Sequence, residues 1–266
     1  MRNLILGSEG FVGTSLCRYL ESNGEEIVRL DIKRSSDEDL RNASIDVGHL
    51  DRIYFLAWDV GGAKYLYLEE TQHDQLDWNL KILLNVMPQL KLAKVPFLFV
   101  SSQLAEEYDN AYGVTKRLGE VWTHIIGGVR VRLWNVYGEL EVPSRRSHVV
   151  SDFVHQAVMD GRIKMMTSGE ERRQFVHIDD VCRAMQMAFD LSPDGIYDIT
   201  SFEWTTVLRV AQIIAEASGV EVILGAEKGS TPYTPMRGRI PGWLPTVDLV
   251  AGLTRMTEEL RTMNRS

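Results

Sequence analysis

The amino-acid sequence predicts an α/β fold: a doubly wound parallel sheet with helices on both faces, followed by a smaller α/β part. Short apolar runs alternate with longer stretches of helical periodicity through the first half of the chain. This alternation is typical of parallel sheets that are covered on both faces. The chain has 266 residues, which is enough for one large domain or for a main domain carrying a smaller one.

The elements of the first half begin with "NLILG", an apolar run that predicts a buried strand over residues 3–7. The next stretch, "FVGTSLCRYLES", has apolar residues at helical spacing and predicts a helix over 11–22. A long helix is predicted over 70–94, and Pro88 is expected to kink or end it. The other predicted elements of this half are strands over 26–31, 52–57, 96–102 and 129–135 and a helix over 112–126.

Beyond about residue 140 the pattern changes to shorter and less regular strands. The segment 225–245 is rich in glycine and proline and is expected to be an irregular loop. Helices are predicted over 147–161, 179–191, 205–218 and 245–263, and short strands over 162–168, 173–178, 195–200 and 220–224.

The bulk composition excludes several classes of partner. A net charge of −8 and a pI near 5.3 do not favour binding of the whole molecule to nucleic acid or to anionic lipid. No apolar run approaches the ~18 residues of a membrane span, and the amino terminus is too short for a signal peptide. Two cysteines far apart, Cys17 and Cys182, fit a reducing compartment. The six histidines show no metal spacing. We therefore expect a cytoplasmic protein without a metal, a nucleic-acid partner or a membrane partner.

A glycine-rich turn follows the first predicted strand in the segment "GSEGFVG". Its three glycines stand at i, i+3 and i+6, between a strand and a helix. This arrangement allows a tight turn, close approach of a pyrophosphate to the backbone, and close helix–strand packing. The helix N-terminus adds free N–H groups and a partial positive charge. We therefore predict that a dinucleotide contacts Gly7, Gly10, Phe11, Val12 and Gly13.

An acidic residue ends the second predicted strand at the position that such a site requires. Asp31 lies 18 residues after Gly13, near the ~20 expected for a carboxylate that accepts hydrogen bonds from both ribose hydroxyls. A carboxylate there repels a 2′-phosphate, which favours NAD over NADP. Lys33 and Arg34 follow directly and could weaken that preference.

A tyrosine and a lysine share one face of the predicted helix 112–126. Tyr112 and Lys116 stand at i and i+4, and the preceding strand ends in Ser101 and Ser102. A nearby ammonium and an oxidised nicotinamide would lower the pKa of the phenol from about 10. Tyr112 could then take a proton from a sugar hydroxyl whose carbon loses a hydride, while Ser102 hydrogen-bonds the same oxygen and Lys116 also holds the nicotinamide ribose.

Together these motifs resemble the extended short-chain dehydrogenase/reductases of the NAD-dependent sugar-nucleotide epimerase/dehydratase family. The similarity extends over nearly the whole chain, from "GSEGFVG" through "FLAWDVGG", "VSSQ", "YGVTK", "RLWNVYG" and "RRQFVHIDDV" to "IPGWLP". The resemblance implies a Rossmann-type NAD-binding domain over 1–140, to which 175–200 return, and a mainly substrate-binding part over 141–266.

The resemblance also implies roles for individual residues. Ser102, Tyr112 and Lys116 correspond to the family's catalytic set, and "DV" at Asp46 and Val47 resembles its adenine contact. "FLAWDVGG" resembles the family's strand-end segment "HLAA" with the Gly-Gly variant seen in GDP-sugar enzymes. The further implied contacts are Leu56 and Ala57 for the cofactor, and Gly61, Gly62, Asn79, Asn135 and Arg173 for the substrate.

Departures from the family pattern narrow the expected reaction. Only 10 residues separate Ser102 from Tyr112, and no helix fits between Asp46 and Ile53. Gln103 and Leu104 replace the Asp-Glu pair of the dehydratases, and no cysteine stands there as in the 3,5-epimerases.

The resemblance then leaves a nucleotide-sugar 4-epimerase or a 4-ketoreductase acting on a nucleoside-diphosphate sugar. A non-catalytic nucleotide-sensing protein on the same fold is the alternative outside enzymes. The resemblance also implies a homodimer that pairs the helices 70–94 and 112–126.

Overall fold

The computed structural model describes residues 1–232 and 234–265. In the first half of the chain, strands and helices alternate in the predicted order, which places the parallel strands side by side. This half consists of β1 (Arg2–Leu6), α1 (Phe11–Ser22), β2 (Glu26–Leu30), β3 (Arg52–Phe55), α2 (Ala63–Leu66), α3 (Glu69–Ala93), β4 (Phe97–Ser102), α4 (Ala111–Ile125), β5 (Val129–Leu133) and β6 (Asn135–Tyr137).

The second half contains shorter strands between four helices. Three two-stranded ladders link these strands: β8 with β11, β7 with β12, and β6 with β9. The elements are α5 (Val149–His155), which continues as a π-helical turn over Gln156–Asp160, then β7 (Arg162–Lys164), β8 (Arg172–Arg173), β9 (Phe175–His177), α6 (Ile178–Ala188), β10 (Ile196–Ile199), β11 (Thr205–Thr206), α7 (Val207–Ser218), β12 (Glu221–Ile223) and α8 (Leu249–Met263).

The central sheet has six strands in the order β10-β5-β4-β3-β1-β2, and every neighbouring pair is parallel. The doubly wound parallel sheet predicted from the sequence is therefore confirmed. Strand order reverses between β1 and β3, which is where ligands bind in such sheets, outside the carboxyl ends of the strands. Those ends carry the glycine turn after β1, the segment after β3, and Ser102 at the end of β4.

Three large apolar clusters support this arrangement. Two of them fill the opposite faces of the sheet, one under α1 and α6 and the other under α3. The third joins α5, α7 and α8 and forms a separate core of the second half. Strand β10 returns from the second half to pair with β5, with Ile199 opposite Leu133.

Helix α3 matches the helix predicted over 70–94 and continues through Pro88 to Ala93, so this proline does not end it; Met87 and Leu90 on either side of it are buried in the core. One strand differs from its prediction. The strand predicted over 129–135 divides at Trp134, after which Asn135 pairs with Phe175 in β9 instead of continuing in the central sheet. Within the described residues, no helix is long and apolar enough to cross a membrane.

Candidate functional site

The glycine turn after β1 is built so that two of its glycines cannot carry a side chain. Gly7 has a φ of +92°, and a Cβ there would lie 2.6 Å from the backbone nitrogen of Ala57. A Cβ on Gly13 would overlap the carbonyl oxygen of Gly7. The backbone of the turn is therefore in direct contact both with helix α1 and with the segment after β3.

Gly10 has a different role, because it is the N-cap residue of α1 and provides no side chain to cap the helix. The first N–H groups of the helix, at Phe11, Val12 and Gly13, consequently have no capping side chain, and the first turn carries no acidic residue. An uncapped helix N-terminus beside a close-packed glycine turn fits a pyrophosphate. Phe11 extends from this turn, and its ring centre lies 5.7 Å from that of His148.

Asp31 is buried directly beside the turn. One of its carboxylate oxygens accepts the backbone N–H of Glu9 at 3.0 Å, and the other accepts that of Lys33 at 2.9 Å. Lys33 donates from Nζ to the carbonyl oxygen of Glu9 at 3.0 Å, and Arg34 forms ion pairs with Glu9 and Glu38. Both cations that could favour a 2′-phosphate are therefore engaged with neighbouring oxygens.

The other predicted cofactor contacts lie at the same edge of the sheet. The N–H groups of Leu56 and Ala57 both donate to the carbonyl oxygen of Leu6, at 2.9 and 2.8 Å, which holds the segment after β3 against the end of β1. Val47 packs against the core under α3, while Asp46 is exposed and accepts a backbone N–H two residues further on. Contact of these four residues with the cofactor remains a prediction.

Ser102 and Tyr112 meet at the carboxyl end of β4. Both side chains are buried, and the Ser102 Oγ accepts the backbone N–H of Leu104 at 3.2 Å. Burial raises the pKa of Tyr112 to about 12, and a side-chain hydrogen bond with Ser102 acts in the opposite direction. Asn110 caps α4 by accepting the backbone N–H of Gly113 at 2.8 Å, which fixes the start of the helix that carries Tyr112.

Lys116 lies one turn after Tyr112, but its ammonium is not directed at the phenol. Its Nζ donates to the carbonyl oxygen of Val100 at 2.7 Å and lies 4.0 Å from the centre of the Trp58 ring. Burial holds the pKa of this lysine well below its usual range, although the charge of Glu120 opposes the shift. The expected lowering of the pKa of Tyr112 by Lys116 is therefore absent from this arrangement.

A buried ion-pair network that the sequence did not predict lies behind this set. Arg132 on β5 is fully buried, and it binds Glu120 through Nε at 2.6 Å and through Nη2 at 2.7 Å. Ser101 donates to Glu120 at 2.6 Å, and Glu106 accepts from Arg132 at 2.6 Å and also from Arg237. One sequence feature could have indicated that Glu120 belongs near the site: it follows Tyr112 and Lys116 at four-residue steps along one helix face.

Gly61 and Gly62 lie against the backbone of a loop from the second half of the chain. A Cβ on Gly61 would lie 3.0 Å from the Cα of Arg146, and one on Gly62 would overlap the carbonyl oxygen of Ser147. The N–H of Gly62 donates to the carbonyl oxygen of Arg146 at 2.8 Å. The structure thus gives both glycines a packing role, and their contact with a substrate remains a prediction.

Side chains also link the segment after β3 to the loop before α5. Arg146 donates to Asp59 at 2.6 Å and to the Tyr65 hydroxyl at 2.7 Å, and its guanidinium lies 3.8 Å from the centre of the Tyr65 ring. Tyr65 in turn donates to Asp59 at 2.6 Å. We call Asp59, Gly62, Tyr65, Arg146 and Ser147 the clasp, because they join the end of β3 to the loop before α5.

Two predicted substrate residues contact the backbone of the protein. Asn79 is fully buried and forms two hydrogen bonds with the backbone of Asp59, accepting its N–H at 2.8 Å and donating to its carbonyl oxygen at 3.2 Å. Asn135 donates from its side chain to the carbonyl oxygen of Gln174 at 3.1 Å. These bonds assign both residues a structural role at the edge of the site, and their substrate contacts remain predictions.

Arg173 has the properties of an anion-binding group. Its guanidinium donates to the carbonyl oxygen of Arg172 at 2.8 Å and, within the described residues, forms no ion pair. Burial lowers its pKa, while the charges of Glu171, Tyr67 and Glu107 act to raise it. Most donors of this half-buried guanidinium are therefore unused. Across residues 1–232 and 234–265, no cluster of acidic, histidine or cysteine side chains is arranged to hold a metal ion.

Comparison with known proteins places this geometry in context. The model of the NAD dependent epimerase/dehydratase family matches residues 3–199. A UDP-2-acetamido-2,6-beta-L-arabino-hexul-4-ose reductase from Pseudomonas aeruginosa is 30% identical over 71% of this chain and 50% of its own length.

Two solved structures share the fold. The UDP-glucose 4-epimerase of Thermotoga maritima, solved with UDP-glucose, is 20% identical, with a TM-score of 0.79 over 99% of this chain and 100% of that one. The UDP-glucose 4-epimerase of Thermus thermophilus, solved with NAD, is 20% identical, with a TM-score of 0.75 over 98% of this chain and 99% of that one.

Proposed function

The chain belongs to the NAD-dependent epimerase/dehydratase family, and we propose that it is a nucleotide-sugar epimerase that inverts the configuration at C4 of the sugar. It is an enzyme of that family, and its cofactor is NAD. When bound, NAD would accept a hydride from C4 and return it to the opposite face of the 4-keto sugar, which inverts that carbon. The glycine turn and the uncapped start of α1 bind the pyrophosphate, and Asp31 accepts hydrogen bonds from the adenosine ribose.

The residues at the end of β4 perform the proton transfer. Tyr112 takes the proton from the C4 hydroxyl and later returns it to the same oxygen, and Ser102 orients that oxygen through a hydrogen bond. A phenol with a pKa near 12 is a weak source of phenolate at neutral pH, so additional positive charge is needed in the active state. The positive charge of an oxidised nicotinamide would supply it when NAD is bound, while Lys116, whose Nζ lies 5.8 Å from the centre of the Tyr112 ring, would hold the nicotinamide ribose.

One observation carries this proposal: the serine, the tyrosine and the lysine come from β4 and α4 to the carboxyl edge of the sheet, the same edge that carries the glycine turn. Glu120 on α4 binds Arg132 on β5 and accepts a hydrogen bond from Ser101 on β4, so this network fixes α4 against both strands. A protein that only senses a nucleotide has no need of a buried tyrosine close to a serine at this edge.

The clasp supports an epimerase over a reductase. The loop before α5 extends from the glycine turn, where His148 contacts Phe11, to the end of β3, where Arg146 binds Asp59. These two contacts tie the loop to the segments that follow β1 and β3, where a dinucleotide binds in this fold. An epimerase keeps its cofactor through the reaction, whereas a reductase must exchange it, and a loop tied to both segments suits the enzyme that keeps it.

The substrate is a nucleoside-diphosphate sugar in this proposal, and Arg173 binds its diphosphate. The unused donors of the half-buried guanidinium match the bidentate geometry of phosphate oxygens. UDP-glucose is the first compound to test, because the Thermotoga maritima structure of the same fold contains it.

The test replaces Tyr112 by Phe and follows conversion of UDP-glucose to its C4 epimer by NMR. We expect turnover to fall by about 10³-fold or more, which corresponds to about 4 kcal/mol of transition-state stabilisation, while NAD released on denaturation stays stoichiometric by mass spectrometry. Tyr108→Phe is the matched control, because Tyr108 lies on the same segment and is 89% exposed.

The same assay distinguishes the alternatives. Turnover that requires added NADH or NADPH, with reduction of a 4-keto sugar nucleotide, would identify a ketoreductase, as the 30% identity to a reductase suggests. Bound nucleotide without turnover of UDP-, GDP-, dTDP- or CDP-sugars would contradict the enzyme proposal and favour a sensor.

We also propose that the protein forms a homodimer through α3 and α4. Apolar side chains form stripes on the outer faces of α3 and α4, with four on α4 at steps of four, three and four residues. Such stripes fit a second copy of the same surface around a two-fold axis. The exposed residues are Leu76 and Leu84 on α3 and Val114, Leu118, Val121 and Ile125 on α4.

Sedimentation equilibrium tests this assembly directly. We expect Leu118→Glu to convert a dimer into a monomer, because it places a charge in the centre of the stripe. Val250→Glu, on the exposed face of α8, is the control that should leave the dimer intact. A monomeric wild-type protein would contradict the proposed assembly without affecting the proposed reaction.

A further inference from the structure

The ammonium of Lys116 is buried in an unusual way. The side chain is only 3% exposed, and Lys116 forms no ion pair with a carboxylate of the described residues. Its one strong hydrogen bond goes to the carbonyl oxygen of Val100. A buried cation with a single acceptor requires another favourable contact to remain in place.

That contact is the face of an aromatic ring. Trp58 lies 4.0 Å from the Lys116 Nζ, measured to the ring centre, compared with 5.2 Å for Phe99 and 5.8 Å for Tyr112. A cation within about 6 Å of a ring centre is attracted by the face of the ring, and tryptophan binds most strongly. Trp58 is therefore both the nearest ring and the strongest of the three.

The position of Trp58 is itself fixed by its surroundings. Its ring packs edge-on against Phe99 at 5.5 Å and lies 6.2 Å from Phe55. The next residue, Asp59, is held by Asn79 and by the clasp. The indole nitrogen is buried and has no hydrogen-bond partner among the described residues, so packing alone orients the ring.

We propose that Trp58 is a positioning residue for Lys116: its ring face and the carbonyl oxygen of Val100 together hold the ammonium at the strand ends beside Tyr112. The lysine stem has four flexible carbons, so the ammonium keeps one position only where such contacts hold it. The carboxylate of Glu120 is already occupied by Arg132, Ser101 and Arg117. Trp58 stands where the family segment "HLAA" has its last alanine, so the ring is a feature of this chain.

The first experiment measures the accessibility of Lys116 and needs no turnover. The folded protein is treated with a limiting amount of formaldehyde and cyanoborohydride, and methylation of Lys116 is quantified by peptide mass spectrometry. We expect Trp58→Leu to raise the labelling rate about tenfold, and Trp58→Phe, which retains a weaker ring face, to raise it by no more than about threefold. The control Trp204→Leu removes a ring that contacts Trp134 and no lysine, and should change nothing.

Equal labelling of the Leu and Phe variants would overturn the proposal, and so would a Leu variant as protected as the wild type. Circular dichroism and thermal melting establish that each variant is folded. If Trp58→Leu fails to fold, a fluorinated tryptophan introduced at position 58 alone nearly retains the size of the ring and weakens its negative face. Faster labelling would then support the proposal, and unchanged labelling would overturn it.

The second experiment is kinetic and rests on the proposed function. For a positioning role, Trp58→Leu lowers kcat about tenfold with little change in the KM for UDP-glucose, and Trp58→Phe restores most of the loss. A rise in KM alone would show that Trp58 contacts the substrate and would contradict a positioning role. If the wild-type protein has no turnover at all, the proposed reaction fails, while the labelling result still decides the role of Trp58.

Discussion

Two buried cations, Lys116 on α4 and Arg132 on β5, both interact with the charge of Glu120, and the protein stabilises them in opposite ways. Arg132 is fully buried and bound by two carboxylates, those of Glu120 and Glu106. Lys116 is buried almost as deeply, but among residues 1–232 and 234–265 its ammonium contacts a carbonyl oxygen and aromatic rings and no carboxylate. The cause of the difference is geometric, since both oxygens of Glu120 already accept from Arg132.

The comparison separates a structural charge from a functional one. The pKa of Arg132 is raised by hydrogen bonds to its carboxylate partners, which keeps it charged at every accessible pH. The pKa of Lys116 is lowered by burial, so its charge responds to whatever binds near it. Strongly perturbed groups without a fixed partner are more frequent at functional sites than in the scaffold.

The largest expected effect is on turnover and comes from removing the charge of Lys116, which has no carboxylate partner among the described residues. Lys116→Met retains the length of the side chain, so we expect turnover to fall by about 10³-fold or more, equivalent to about 4 kcal/mol, with an unchanged or higher free energy of unfolding. Parallel measurement of kcat and of urea unfolding checks both parts. A variant that loses its stability along with its activity would show that Lys116 is structural, and the comparison would fail.

For Arg132, which is paired with carboxylates, we expect that removing a partner lowers the stability of the protein. Glu120→Gln leaves Arg132 buried with only Glu106 as a carboxylate partner, which should cost about 3 kcal/mol of unfolding free energy, at the low end for a broken buried pair. Urea denaturation measures this loss, and Arg237→Ala is the control, because it removes a partly exposed partner of Glu106 and leaves both contacts of Arg132 with Glu120 in place. A stable Glu120→Gln protein with impaired turnover would place Glu120 with Lys116 among the functional charges.

The pH dependence of stability provides a third comparison. Because burial lowers the pKa of Lys116 in the folded state, the unfolded chain binds more protons between that lowered value and about 10.4. Relative to Lys116→Met, the free energy of unfolding of the wild type should therefore rise with pH in this window, by at most about 1.4 kcal/mol per pH unit. Denaturant unfolding of both proteins between pH 6 and 9 measures this. If the lysine titrated normally, the difference between the two free energies would not change with pH.

The smallest expected effect concerns an exposed member of the same network. Arg117 donates to Glu120 at 3.1 Å, but its side chain is 49% exposed. Arg117→Ala should therefore change the free energy of unfolding by less than about 1 kcal/mol, and added salt should reduce even this effect. Thermal melting at low and high salt checks it. A loss of unfolding free energy comparable to that of Glu120→Gln would indicate that the network depends on the exposed Arg117 as much as on the buried pair of Glu120 and Arg132.

Much of the fold could be predicted from the sequence, since its signals are local. The start of α1 at Phe11 and the helix that carries Tyr112 and Lys116 were found within one or two residues of their observed ends. Pro88 does not end α3, because its local preference is outweighed by the burial of Met87 and Leu90. Helix propensity is a weak determinant compared with tertiary packing.

The candidate site was predictable only as a set of residues. Asn79 and Gly62 were expected at the substrate, and the structure shows one holding the backbone of Asp59 and the other packing against Ser147. No pattern in the sequence indicated that Arg146, 87 residues after Asp59, would close this junction. Contacts over such separations depend on how the two halves of the chain pack.

The sequence by itself determined the parallel sheet, the glycine turn and the placement of Ser102, Tyr112 and Lys116 at strand and helix ends. Periodicity, glycine spacing and helical i, i+4 geometry are properties of neighbouring residues, so a single chain displays them without its fold. Only the tertiary structure decided which buried charges have partners. Ion pairing depends on distances of a few ångströms between elements far apart in sequence. In the folded chain Glu120 binds Arg132, whereas the ammonium of Lys116 lies against the ring of Trp58.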